Sequence, residues 1–306
     1  MKLSIVATLY HSASYIDEFH RRVSAAACQI TGDYEIIFVN DGSPDDSLSR
    51  AIALTKTDSH VIVVDLSRNF GHHKAMMTGL AQARGERIFL IDSDLEEEPE
   101  WLNTFAEQWD REKCDVVYGI QESRKGGWVE RCTGQWYYTL FRWASGLNIP
   151  INETTARLMS RRYVQALLSF EEREMEIGAL WFITGFAQHS QAVKKHSTSE
   201  TTYTFKKKVA LAVNSITSFS NAPLVWIFYL GISVLLTSLA FAGYLAVRRV
   251  FDPTPISGWT SVMVSVWVLG GLMLSAIGVI GIYLAKVFSE SKRRPNTIIR
   301  EIYGER

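Results

Sequence analysis

The chain has 306 residues, 47% of them apolar, and its 32 acidic and 32 basic side chains cancel to a formal charge of zero. That length suits one large domain or two small ones, the apolar fraction excludes a disordered chain, and the balanced charge gives no sign of a nucleic-acid partner. Cys28, Cys114 and Cys132 lie far apart with no C-x-x-C pair, which argues against a disulfide framework and a structural zinc site.

The opening "MKLSIVATLYHSASYIDEF" has an apolar run too short for a signal peptide, closely followed by His11, Asp17 and Glu18, so it reads as a first β-strand of a domain that stays in the cytosol. From there to about residue 120, short β-rich runs alternate with helical patterns, as in α/β proteins with a mainly parallel sheet. The strands are "LSIVATLY", "YEIIFVN", "VIVVDLS", "RIFLID" and "DVVYGI". Between the first two, Ile16, Phe19, Val23 and Ala27 recur at helical spacing, with Ser14 and Asp17 as a capping-box-like start. The helix "HHKAMMTGLAQAR" stops at Gly85, and another begins at Pro99.

The alternation fails after "DVVYGIQESRKGG". The stretch 128–145 is helical in pattern and rich in rings, among them Trp136, Tyr137, Tyr138, Phe141 and Trp143, which suits either a wedged core helix or a membrane interface. Farther on, "TFKKKVALAVNSITSFSNAP" joins a basic cluster to apolar residues at helical spacing, as expected of a helix on an anionic lipid surface. Two uncharged runs follow, about 224–247 and 259–285, each long enough to cross a bilayer. The short loop between them makes a hairpin. Lys206, Lys207 and Lys208 before it and Lys286, Lys292, Arg293 and Arg294 after it put both flanks in the cytoplasm, although Arg248 and Arg249 in the loop weigh against this. The expected organisation is a cytoplasmic catalytic domain at 1–202, a juxtamembrane amphipathic segment at 203–223, two membrane helices within 224–288 and a basic tail at 289–306.

The stretch "RIFLIDSDLEEEPEW" packs Asp92, Asp94, Glu96, Glu97, Glu98 and Glu100 so closely that a cation is needed among them. Ligands of open α/β sheets bind beyond the carboxyl ends of strands. Asp92 and Asp94 sit there with one residue between them, suited to hold a divalent cation whose shell is completed by diphosphate oxygens. Glu97, Glu98 and Glu100, around Pro99, read as carboxylates favoured by a helix N-terminus.

"FVNDGSPDDS", "LSRNFGHHKAMMTGLAQARGE", "FLIDSDLEEEPEW" and "RLMSRR" resemble the blocks of family 2 glycosyltransferases of the polyprenyl-phosphate type, relatives of dolichyl-phosphate mannose synthase and bactoprenol glucosyltransferases. The resemblance covers nearly the whole chain. It implies a GT-A fold with a C-terminal two-helix membrane hairpin, a nucleotide-sugar donor, a polyprenyl phosphate acceptor, Mg²⁺ or Mn²⁺, and a place in the bacterial inner membrane. It makes Asp92 and Asp94 the metal pair, with Glu96, where relatives often carry glutamine, as a further ligand. Donor binding falls to Tyr10, in a block that departs from the family pattern, to Asp41, and to Arg68, Asn69 and Gly71, for which a structural strand-to-helix turn is the other reading. Lys195 and His196 suit the diphosphate or lipid headgroups. Arg124, Lys125, Arg131 and above all Arg157 are candidates for the acceptor phosphate, since arginine grips phosphate in pairs of hydrogen bonds; a solvated arginine on a helix is the plain alternative. Relatives carry an acid two places before Arg157, where this chain has Thr155; Glu153 is the nearest carboxylate available as a base. A hydroxyl acceptor on a lipid-linked saccharide, or a non-catalytic nucleotide-sugar sensor, are the other functional classes, and the oligomeric state, homo-oligomer included, is left open.

Overall fold

The structure is a computed structural model that describes residues 2–121, 143, 150, 152–172, 177–195, 217, 220–251 and 258–304. The chain divides into two compact units, one of residues 1–138, 147–203 and 294–306 and one of 139–146 and 204–293.

The first unit is built on an eight-stranded sheet of β1 (Leu3–Leu9), β2 (Tyr34–Asn40), β3 (Val61–Leu66), β4 (Arg87–Leu90), β5 (Val116–Gln121), β6 (Glu153–Ser160), β7 (Gln188–Val193) and β8 (Ile299–Tyr303), in the order β7-β5-β6-β4-β1-β2-β3-β8. β1, β2 and β3 are buried along their whole length, which is why they read as near-continuous apolar runs. Only β6 and β8 run against the other six. All five strands expected from the alternation are present. β6 and β7, beyond it, complete one flank, and β8 comes from the residues expected as a tail.

The helices are α1 (Ile16–Ile30), α2 (Ser47–Thr55), α3 (His72–Gln82), α4 (Trp101–Glu112), α5 (Arg161–Leu168) and α6 (Ile177–Ile183). Ile16, Phe19, Val23 and Ala27 of α1 are buried and join Leu102, Phe105 and Ala106 of α4 over the face formed by Leu3, Ile5, Ala7 and Leu9. α3 lies on β1 and β2, its Gly79 so close to Val6 and Val39 that a Cβ would collide with both. The capping box expected at Ser14 and Asp17 is not made: the N-cap is Tyr15, without a side-chain hydrogen bond. α4 starts at Trp101, two residues after Pro99.

Asp115, at the amino end of β5, accepts from Arg162 Nη2 at 2.7 Å and from Ser160 Oγ at 2.8 Å, which ties it to β6 and α5. The Arg162 hydrogen bond, working against burial and helped by Ser160, holds its carboxyl below the usual range. A depressed folded-state pKa gives stability that is complete above the unfolded pKa and lost as pH falls through the folded one. In thermal melts, Asp115→Asn should therefore trail the wild type at pH 7, and the gap should close as pH drops below about 4.

The second unit contains two long helices, α7 (Ala222–Phe251) and α8 (Trp259–Ser291). Ala222–Leu245 and Val264–Ser291, each of mean hydropathy 2.2, are long and apolar enough to cross a membrane. Their large apolar side chains face outward, Phe228 being 62% and Trp267 79% exposed. The two helices contain the uncharged runs 224–247 and 259–285. Trp143, of the ring-rich stretch, stacks on Trp226 at 4.7 Å, and the Tyr283 hydroxyl donates to the Ser220 carbonyl. The rest of that stretch, and of the juxtamembrane segment to residue 219 apart from Thr217, lies outside the described residues.

Candidate active site

Strand order reverses at β1: the chain moves outward through β2 and β3, then returns to place β4 on the other side of β1. The crevice beyond the carboxyl ends of strands at such a switch is where open α/β sheets take ligands. Tyr10, Asp41, Arg68 and Asp92 leave β1, β2, β3 and β4 at this edge. Because β6 is antiparallel, with Arg157 opposite Leu90, its first residues also arrive there. β7 runs parallel to β5 and delivers Lys195.

Two loops form one wall. Asp45 accepts from the N–H groups of Ala13 and Ser47, each at 3.1 Å, and from the hydroxyls of Ser43 and Ser47, while Ser43 Oγ accepts from the His11 N–H at 2.8 Å. These bonds, outweighing desolvation, keep the Asp45 carboxyl well below its ordinary range. The wall is thereby fixed, and Tyr10 stands on it 51% exposed, set edge-on to His11. Asp41 is buried and accepts from the N–H groups of Phe70 (2.7 Å) and Gly71 (3.0 Å). Arg68 lies over the Phe70 ring and donates to the Asn69 carbonyl. Arg68, Asn69 and Gly71 lie in the turn between β3 and α3, which Asp41 holds from the end of β2.

Gly42 has φ +61°, and a Cβ there would meet Asn69 N at 2.5 Å and Arg68 C at 2.6 Å, both backbone atoms. Gly42→Ala is expected to force the two turns apart, lowering the melting temperature by several degrees, as about 1–3 kcal/mol of strain would do. Differential scanning fluorimetry checks the shift.

The acidic cluster is the other wall. Leu95 adopts φ +60°, a strained choice for a bulky residue, offset by packing of its side chain against the core. This turn folds Glu96 and Glu97 back beside Asp92 and Asp94. Asp92 Oδ1 lies 3.2 Å from His72 Nε2, and His72 Nδ1 is 3.1 Å from Thr8 Oγ1. Burial opposes the Asp92 charge, but His72, Thr155 and Lys195 prevail and hold its carboxyl below the usual value. Asp94 is pushed up, by burial first and by Asp92 and Glu96 next, against the Glu96 N–H that donates to it at 3.0 Å. Lys195 Nζ stands 3.3 Å from Glu96 Oε2 and 3.7 Å from Glu97 Oε1. Burial works against its charge, yet Glu97, Asp92, Asp94 and Glu96 together raise its pKa.

Glu97 is the main departure from the sequence reading, which put it at a helix start. It is fully buried, accepts from the Thr155 N–H at 3.0 Å, and is pushed up to about 8 by desolvation and by Asp92. Glu100, by contrast, is the N-cap residue of α4 and pairs with Arg22.

Among the described residues, no three His, Cys, Asp or Glu side chains cage a metal by themselves. The donor set nevertheless fits Mg²⁺ or Mn²⁺. Its oxygens are hard ligands, and Asp92 Oδ1 is buried without an aligned hydrogen-bond donor. Carboxylates that raise one another's pKa leave negative charge for a cation shared with a ligand's phosphates, as Mg²⁺ is usually held.

Arg157 is neither a solvated helix residue nor an open phosphate grip. It lies on β6, fully buried over the Trp181 ring, and donates to Glu153 (3.3 Å) and to the carbonyls of Thr154 (3.2 Å) and Thr155 (3.3 Å). Its Nη1 is buried with no hydrogen-bond partner. Desolvation lowers its pKa, offset in part by Glu153. Arg124, Lys125, Arg131 and His196 lie outside the described residues.

The family model for "Glycosyl transferase family 2" matches residues 4–168, from β1 through α5. The chain belongs to glycosyltransferase family 2. A protein described as a glycosyltransferase from Mycobacterium tuberculosis (strain CDC 1551 / Oshkosh) is 51% identical over 99% of this chain and 89% of its own. The bactoprenol glucosyl transferase of Shigella phage SfV is 32% identical over 98% of each chain. The crystal structure of S. aureus TarS 1–349 matches with a TM-score of 0.46 and 20% identity, covering 64% of this chain and 59% of that one. This family 2 glycosyltransferase has a GT-A-like mixed sheet. Sequence reasoning missed three of its residues at this edge: His72, Glu97 and Asp45. The first two carry no local signal, because their positions depend on the Leu95 turn and on the docking of α3. Asp45, two residues before Ser47, had the spacing of a loop-capping carboxylate.

Proposed function

We propose that this glycosyltransferase moves a sugar from a nucleotide-diphosphate donor, a UDP-sugar first among candidates, to undecaprenyl or another polyprenyl phosphate. The product would be a polyprenyl-phosphate-linked monosaccharide, inverted at the anomeric carbon, for modification of a cell-surface glycan. The observation that carries this reading is the likeness to a bactoprenol glucosyl transferase over 98% of both chains, apolar helices included. A lipid acceptor calls for a membrane, and α7 and α8 meet that need in length and hydropathy. The positive flanks favour the bacterial inner membrane, spanned twice, with the catalytic domain in the cytoplasm.

In this mechanism Asp92, Asp94 and Glu96 would hold Mg²⁺ or Mn²⁺, which when bound neutralises the diphosphate leaving group. Lys195 offers the diphosphate an ammonium, and Tyr10 an exposed ring for the base. The β1 and β2 loops, stitched by Asp45, keep that ring in place. The acceptor phosphate, with a second pKa of about 6, reaches the site largely ionised, so its oxygen attacks without surrendering a proton. Arg157 stabilises charge from behind β6, its Nη1 being the donor left over from its protein contacts. Glu153, already engaged by Arg157, then needs no role as a base.

The test is transfer by purified protein in detergent, with a panel of radiolabelled nucleotide sugars, undecaprenyl phosphate, and Mn²⁺ or EDTA. A metal-dependent lipid product labile to mild acid is expected. Nucleotide binding without any lipid product would overturn the assignment and leave a hydroxyl acceptor or a sensor.

A further inference from the structure

The residues expected as a basic tail form β8, antiparallel to β3, with Val63 opposite Tyr303, Val64 opposite Ile302 and Asp65 opposite Glu301. The register then shifts, so that Leu66 faces Ile299 and Arg300 is left over. An extra residue in an antiparallel pair bends its strand and re-aims its side chain. Here the guanidinium donates from Nη1 to Asp65 Oδ2 at 3.2 Å and from Nη2 to the Ser67 carbonyl at 2.7 Å.

Asp65 is 1% exposed, and its other oxygen accepts from Asn40 Nδ2 at 2.8 Å. Asn40 Oδ1 in turn accepts from the Ser43 N–H at 3.2 Å, and Ser43 Oγ accepts from the N–H of His11, next to Tyr10. A line of hydrogen bonds thus runs from the last strand of the chain to the wall bearing Tyr10. A second set braces the neighbouring turn: the Ser67 N–H donates to the Ile298 carbonyl at 2.9 Å, and the Thr297 and Thr78 hydroxyls meet at 2.7 Å. That turn carries the Phe70 and Gly71 N–H groups that hold Asp41.

We propose that Arg300 is a positioning residue for the nucleotide-sugar site, holding the loops after β2 and β1 through Asp65 and Asn40. The inference rests on the donor reading above and adds to it that nucleotide affinity depends on the strand following the second apolar helix. Without Arg300, Asp65 keeps the Asn40 Nδ2 donor, and water takes the place of the exposed guanidinium. Asp65 then draws on Asn40, whose orientation is what presents Oδ1 to Ser43. Arg300 itself is more than half exposed, so the pair adds little to global stability. Its effect falls on loop geometry.

The experiment titrates full-length protein in detergent with UDP and with GDP, each with Mn²⁺, by calorimetry, alongside melting curves and donor kinetics. Arg300→Met should weaken binding of the preferred nucleotide about tenfold, with donor KM rising far more than kcat falls and little change in Tm. Arg300→Lys should recover part of the loss, because an ammonium still reaches Asp65 but lacks the fork that also bonds Ser67. In an Asp65→Asn background, Arg300→Met should change nucleotide affinity by less than about twofold, since the charge it serves is gone. Wild-type affinity in Arg300→Met, or full additivity of the two changes, would show the strand to be an edge cover only and overturn the proposal. A wild-type protein that binds neither nucleotide would remove the donor reading and this inference with it.

Discussion

Asp94→Asn should cost at least about a hundredfold in sugar transfer, the scale on which loss of one preorganised electrostatic partner is felt, while the melting temperature stays level or rises. The two halves of this expectation come from the same charges. Burial, Asp92 and Glu96 raise the Asp94 carboxyl, so the metal-free protein holds a carboxylate there at a cost. The amide removes that charge yet keeps the oxygen that accepts from the Glu96 N–H. The Leu95 turn therefore survives, and Glu96 and Glu97 stay where they are. What is lost is a hard anionic ligand for the cation that neutralises the leaving group. Radiolabelled lipid product, measured across a Mn²⁺ titration, separates weaker metal binding from a defect that excess metal does not repair. Activity within about tenfold of wild type at low Mn²⁺ would remove Asp94 from the leaving-group side of the site.

The parts legible in the sequence are those governed by local patterns. Buried parallel strands announced themselves as apolar runs, and most of α7 and of α8 as long uncharged runs. Asp92 and Asp94 could be placed because a strand end is a local feature and its direction follows from the alternation. Glu97 could not, since three glutamates before a proline suit the positive end of a helix equally well. Only the left-handed turn at Leu95, paid for by core packing, sends one of them inward. Arg157 looked available because β6 had no flanking pattern to reveal it as a strand buried against Trp181. β8 was hidden for a different reason. "IREIY" carries charges, as edge strands do to avoid pairing with other chains, and its partner β3 lies more than 200 residues earlier in the chain.

Lys195→Met should have opposite effects on the two ligands of the site. Lys195 is the ammonium closest to Glu96 and Glu97 among the described ion pairs, and Asp92 and Asp94 also act on it. Removing it leaves the cluster with uncompensated charge, so Mn²⁺ alone should bind more tightly, by about threefold to tenfold. The diphosphate loses its ammonium, so nucleotide affinity with saturating Mn²⁺ should fall at least about tenfold. A lysine needed only for folding would lower Tm and leave the two affinities moving together. Glu97 sharpens the test because it touches both Lys195 and the Thr155 N–H. Glu97→Gln keeps an oxygen for Thr155 and removes the acid that pairs with Lys195 once ionised, so alone it should weaken nucleotide binding above about pH 8 and change it little at lower pH. Combined with Lys195→Met it should cost less than the sum, because the anchor has nothing left to hold. Coupling in nucleotide affinity, with the Thr155 contact preserved, would assign Glu97 to the placement of Lys195 and not to the packing of β6.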